Sequence, residues 1–166
     1  MNAFWSYFWP LFGFGLLVGV IAGVIGFRPR RRRNLILLIA FVISIAGAAA
    51  WHGPLGAADR FAAEIERGIQ KTLVYYEIPQ VSGHLHRGPL TRRVLLSGPA
   101  DDFQRSELVR LIGQVPGVSG ASWSADGGGV PLIVQAGIAA LLGFLLGLLL
   151  AYLVELRRRY NAQWNW

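Results

Sequence analysis

Three long stretches of this chain carry no Asp, Glu, Lys or Arg, and a block of mixed character separates the second from the third. The first begins at Phe4 or Leu11 and ends at Phe27, the second covers Asn34 to Trp51, and the third Val130 to Val154. A helix rises about 1.5 Å per residue, so roughly 20 apolar residues cross a hydrocarbon core of about 30 Å. Each stretch is expected to be a transmembrane helix. In the block from 52 to 129 the pattern changes. Phe61, Ile65, Ile69 and Leu73 recur every four residues with Ala58 and Ala62 beside them, which predicts an amphipathic helix. Val81, Gly83 and Leu85 then alternate with polar residues, as do Val94 and Leu96. They predict two short strands joined through His86-Arg87-Gly88-Pro89-Leu90. Asp101 with Gln104 has the form of a capping box and starts a second helix, with Phe103, Leu108, Leu111, Ile112 and Val115 on its inner face. Pro116-Gly117 stops it, and Val118–Trp123 supplies a last strand. The expected fold class is membrane α-helical, with three transmembrane helices and a small α+β extramembrane domain of α-β-β-α-β order, its core at 57–125.

Charge gives this arrangement a direction. The formal net charge is +7, and eight of the sixteen basic residues fall in two runs: Arg28, Arg30, Arg31, Arg32 and Arg33, then Arg157, Arg158 and Arg159. Both runs flank apolar stretches, as topology anchors do, and cytoplasmic loops are the ones enriched in Lys and Arg. Residues 28–33 are then a cytoplasmic loop and 155–166 a cytoplasmic tail. The amino end of span 1–27 lies outside, span 34–51 leads out, block 52–129 is external, and span 130–154 returns. The arginines follow the first apolar run rather than precede it, so it reads as an anchor and not a cleaved leader. In a bacterium this is a multi-pass inner-membrane protein with a periplasmic N-terminus and domain. No cysteine occurs, which excludes disulfides, thiolate catalysis and Cys-ligated metal. The basic runs are accounted for by topology, so no nucleic acid is expected as a partner.

Within the spans, Gly15, Gly19 and Gly23 fall four apart, as do Gly143 and Gly147, and the second span ends in Ala46-Gly47-Ala48-Ala49-Ala50. Such faces let helices approach closely, whether the neighbour is in this chain or foreign. Ser44 and Gln135 are the polar exceptions. Ion and proton paths usually need intramembrane ionisable groups, so transport is disfavoured. Outside the spans, His84 and His86 share a strand face but lack an evident third ligand, and no metal is expected. The Asp101-Asp102 pair is explained by a helix N-terminus, and Ser97 sits in no G-x-S-x-G elbow. No catalytic residue is expected, and the chain is read as no enzyme, with no small-molecule substrate. Arg87, Arg92 and Arg93 gather near the inter-strand connection as candidates to contact lipid phosphate or an acidic partner.

Two resemblances follow. With its α-β-β-α-β order, the elements Leu95-Leu96-Ser97-Gly98 and Pro116-Gly117-Val118 make the external block similar to the BON domain of bacterial envelope proteins. The resemblance covers that block only. It implies contact with phospholipid or other envelope proteins, and no catalysis. The connection 86–90 looks longer than the tight turn usual in that family. Ala48 and His52 form an A-x-x-x-H element that resembles bacterial antenna polypeptides, whose histidine ligates bacteriochlorophyll. His52 is thus the one cofactor-ligand candidate, against a plain interfacial role beside Gly53-Pro54. The expected function is a non-enzymatic accessory subunit of a larger inner-membrane complex, photosynthetic or respiratory, packing against other membrane subunits and lipid. The other expectation is an envelope-maintenance protein that binds phospholipid through the BON-like domain.

Overall fold

A computed structural model describes residues 2–27, 32–124 and 128–163. The elements are α1 (Ala3–Gly26), α2 (Arg33–His52), α3 (Ala57–Tyr75), β1 (Ser82–Arg87), β2 (Leu90–Ser97), α4 (Asp102–Gly113), β3 (Gly120–Ser122) and α5 (Leu132–Gln163). They fall into two compact units. One holds Met1–Tyr7 and Gly56–Gln135, the other Phe8–Leu55 and Ala136–Trp166. Helices α1, α2 and α5 are each long and apolar enough to cross a membrane. Arg28, Arg30 and Arg31 lie outside the described residues.

In the helical unit, α1 and α5 meet through their glycines. A Cβ added to Gly15 or Gly19 would run into the backbone carbonyl of Ala140 or Phe144. One added to Gly143 or Gly147 would run into the carbonyl of Phe12 or Leu16. Because a glycine hydrogen occupies the Cβ direction, each of these is a Cα–H pointing at a carbonyl oxygen of the facing helix. A Cβ on Gly23 would meet the methyl of Ala151. The α1 groove is therefore filled by α5. Helix α2 buries a different small-residue face, Ala40, Ser44 and Ala48, four residues apart. Its Gly47 receives the Phe14 ring. Ala22, Ala40 and Phe144 form a small core where all three helices contribute, and Phe41 stands edge-on to Phe144 at 6.3 Å between ring centroids.

Helix α5 is longer than the apolar pattern predicts. It continues past Val154 through the arginine run to Gln163. Glu155 accepts from Arg159 one turn on at 3.0 Å and lies 3.8 Å from Arg158. Glu, Leu and Arg are strong helix formers, so the segment read as a tail has no local reason to unwind.

The second unit has one antiparallel and one parallel strand pair in the order β1-β2-β3. Its core is the predicted stripe of α3, Phe61, Ile65, Ile69 and Leu73, against Val81, Leu85, Val94 and Leu96 of the sheet side and Leu108 and Ile112 of α4. Phe103 does not join it and is 75% exposed. Five residues separate it from Leu108, a rotation of about 140° at 3.6 residues per turn, so the two cannot share a face. The last strand is shorter than predicted, three residues instead of six. The connection between β1 and β2 is also shorter, only Gly88-Pro89. The residues that looked like a long turn are ladder residues around a bulge. Leu85 pairs with Val94 but Arg87 with Leu90, so Thr91, Arg92 and Arg93 face the single residue His86.

Both motif glycines have local causes. Gly98 has φ +132°, and a Cβ there would lie 2.5 Å from the Gln80 carbonyl oxygen. Gly117 has φ +101°, and its Cβ would lie 2.8 Å from Ile65 Cδ1. Each is a place where the backbone must pass close to the α3 core or the start of β1 in a conformation that disfavours side chains.

Candidate functional site

The three arginines named from sequence are held separately. Arg87 donates to both carboxylate oxygens of Glu66, at 3.2 and 3.1 Å. Glu66, on α3, also accepts from the Leu85 backbone N–H at 3.2 Å. It therefore ties α3 to the outer edge of β1, and Arg87 closes that tie. Its charge is compensated.

Arg92 and Arg93 sit in the bulge of β2. A bulge breaks the in–out alternation, and both side chains are half-buried where alternation would bury one and expose the other. The Arg92 guanidinium lies 5.1 Å from the Phe4 ring centroid, in cation–π range. Burial lowers its pKa from the ordinary arginine value. Arg93 donates to the Gly128 carbonyl at 3.2 Å. The Nε of each is buried without a hydrogen-bond acceptor among the described residues. Both arginines thus brace the segment that leads into α5 or the start of α1, rather than projecting freely.

The other candidates lie at separate places in the fold. His84 is exposed, 3.8 Å from Glu66 Oε1. His86 Nδ1 lies 3.2 Å from the Pro89 carbonyl oxygen, so Nδ1 carries the hydrogen. Among the described residues no group of three His, Cys, Asp or Glu side chains is placed to hold a metal ion. Asp101 accepts from Gln104 N–H at 2.7 Å while Gln104 Oε1 accepts from Asp101 N–H at 3.3 Å, the reciprocal capping box. Ser97 Oγ is 2.9 Å from Ser82 Oγ across the strand pair. His52 is the half-buried last residue of α2. Gln135 donates to the Val130 carbonyl at 2.9 Å.

Sequence reasoning missed a surface at the end of α3. Helix α3 finishes in a Schellman turn: Ile78 N–H bonds to the Leu73 carbonyl and Glu77 N–H to that of Val74, with Glu77 at φ +58°. The turn pulls Ile78 back toward the core and leaves Tyr75 80% exposed, with Val74 and Tyr76 beside it. A groove of about 440 Å³ runs from these tyrosines to Leu111, Val115 and Pro116 of the α4 end. Lys71 and Gln114 line it too. The signal was present in the sequence as Val74-Tyr75-Tyr76 following the last buried position, Leu73. Exposed tyrosines beside aliphatic side chains are a composition that protein interfaces share.

The start of the chain belongs to this same unit. Tyr7 is 2% exposed and its ring lies 5.3 Å from that of Phe61. With the Arg92–Phe4 contact, it joins the first turns of α1 to the α+β core.

Comparison with known proteins finds no family model, no curated protein and no solved structure that matches this chain.

Proposed function

We propose that this chain is a non-enzymatic accessory subunit of a larger inner-membrane assembly, anchored by α1, α2 and α5 and joined to a protein partner through its α+β unit. The observation that carries this reading is the tyrosine groove at the end of α3. Tyrosine is enriched in protein interfaces because it offers a large rigid surface with one polar atom. Lys71 is the one charged residue lining the groove among the described residues, and the aromatic and aliphatic side chains around it favour a protein surface over a small anionic ligand. The order α3-β1-β2-α4-β3 is also the one the BON resemblance implies, and contact with envelope proteins is one role of that family.

The topology rests on two supports. Cytoplasmic loops carry the excess of arginine, which puts residues 28–33 and 155–166 inside. Independently, Tyr7 and Phe4 pack with residues of the α+β unit. A chain start on the same side as that unit is what a first span running inward and a second running outward requires.

Foreign helices, on this reading, do not use the Gly15–Gly23 groove, which α5 fills. The open small positions are Gly13 and Gly137, where an added Cβ meets nothing within 4 Å, and the exposed Ala46 and Ala49 of α2.

The test is purification from native membranes in mild detergent at native expression. The chain is expected to elute with a partner in fixed ratio, and Tyr75→Ser with Tyr76→Ser to release that partner while the circular dichroism spectrum stays the same. A chain that elutes alone, or a double variant that keeps its partner, overturns the proposal.

A further inference from the structure

The helical unit has a cavity of about 300 Å³ where the end of α1, the start of α2 and the end of α5 come together. Gly26, Phe27, Arg33, Tyr152, Glu155 and Arg159 line it, with Leu156 at its edge. We propose that this cavity binds the phosphate headgroup of an anionic phospholipid. The inference rests on the membrane reading above, but not on the protein partner.

Charge is the first argument. Near the two arginine runs the sequence places eight arginines against one acidic residue, Glu155. The rest of the chain holds eight basic and eight acidic residues, so the entire +7 belongs to this region. Glu155 does not oppose an anion there, because Arg159 at 3.0 Å and Arg158 at 3.8 Å already compensate it. Its effect is to position: Arg159 is fixed between Glu155 and the Phe27 carbonyl, to which it donates at 3.4 Å. Arg33 lies over the Phe27 ring at 5.5 Å from the centroid. Among the described residues no carboxylate lies within ion-pair distance of Arg33.

Phe27 is a hub: its ring takes Arg33 on the face and stands edge-on to Tyr152 at 5.9 Å, and its carbonyl takes Arg159. Two exposed guanidinium groups from different helices therefore border one cavity. Guanidinium forks suit the oxygens of a phosphate, and basic pockets between transmembrane helices on the cytoplasmic side suit anionic headgroups.

Apolar surface selects lipid over dissolved phosphate. Leu156, which lines the cavity, is about half exposed, and so are Ile25 and Leu153, which precede and follow the lining residues Gly26 and Tyr152 in sequence. They form a surface on which acyl chains lie while the phosphate enters between Arg33 and Arg159. A zwitterionic headgroup would bring its own cation to this cationic site and is disfavoured.

The experiment uses the full chain in dodecylmaltoside micelles. Bound lipid is measured by native mass spectrometry after addition of phosphatidylglycerol or phosphatidylcholine. One phosphatidylglycerol per chain is expected, with little phosphatidylcholine. Arg33→Gln and Arg159→Gln should each weaken retention about tenfold, the loss of one charge-assisted contact. Arg157→Gln removes the same charge outside this cavity and should change retention less than threefold. Equal losses in all three variants would mean a diffuse field and overturn the site. Equal retention of the two lipids, or displacement of phosphatidylglycerol by millimolar inorganic phosphate, would overturn it as well. Arg33→Gln removes no ion pair, so it remains informative if Arg159→Gln loosens the helix end. Failure of the chain to enter phosphatidylcholine vesicles would instead strike the membrane reading itself.

Discussion

The α1–α5 seam makes a sharp forecast about single methyl groups. Gly19→Ala places a Cβ on the Phe144 carbonyl oxygen. That oxygen is backbone inside a helix and cannot turn aside, so the helices must separate. Ordinary contact needs about 3.5 Å between such atoms, and the shift required is about 1 Å. A gap of 0.5–1 Å forfeits roughly a quarter to a half of each dispersion contact along the seam. The Cα–H···O contacts at Gly15, Gly143 and Gly147, each worth about 0.5–1 kcal/mol, weaken together. Overpacking of this kind costs about 1–3 kcal/mol, and Gly19→Ala is expected within that range. Gly13→Ala adds the same methyl to the same helix where nothing lies within 4 Å, and should change stability by less than about 0.5 kcal/mol. A Cβ on Gly147 would lie 3.0 Å from Gly19 Cα, so Gly19→Ala with Gly147→Ala should cost less than the sum of the two. The helices separate once, and the coupling should exceed about 0.5 kcal/mol. Denaturant unfolding in mild detergent, followed by circular dichroism, measures all four variants. Equal midpoints for Gly13→Ala and Gly19→Ala, or strict additivity at Gly19 and Gly147, would refute the seam.

Two further outcomes concern the α+β unit. Asp101→Ala removes an acceptor of the capping box and should destabilise the chain by about 0.5–2 kcal/mol in the same measurement, with Asp101→Asn largely restoring it. Glu66→Ala strands the Leu85 N–H and frees Arg87, and should cost about 1–3 kcal/mol, with amide exchange at Leu85 accelerating more than at Val94 on the neighbouring strand.

What the sequence made legible is what is periodic. The stripe Phe61, Ile65, Ile69, Leu73 is a local pattern, and all four side chains are buried. The three apolar stretches are equally local, and three helices of membrane-crossing length occupy them. The box at Asp101–Gln104 needs only four residues. What stayed hidden depends on residues far apart. Glu66 and Arg87 are separated by 21 positions, and no pattern within either segment pairs them. The bulge at Thr91–Arg93 is a property of register, which alternation alone does not fix when two arginines interrupt it. The tyrosine groove is legible only in part: Tyr75 stands two positions past Leu73, about 200° round α3 and off the buried stripe, but the approach of Leu111, Val115 and Pro116 depends on residues far along the chain. Phe4 and Tyr7 were absorbed into the first apolar stretch because nothing in its composition changes at the point where it passes from one unit to the other.

That passage bears on how the protein is made. Tyr7 is synthesised more than fifty residues before Phe61, and Phe4 nearly ninety before Arg92. The ribosome therefore delivers the first pieces of the α+β core long before the sheet exists to receive them. In the proposed topology they wait on the far side of the bilayer while two spans are inserted. In that topology the first turns of α1 serve as a checkpoint on insertion, since only a first span laid down in the proposed direction leaves Tyr7 where Phe61 can find it. A chain inserted backwards would carry a correct amino-acid sequence and an unfinished domain, exposed to whatever proteases survey that compartment.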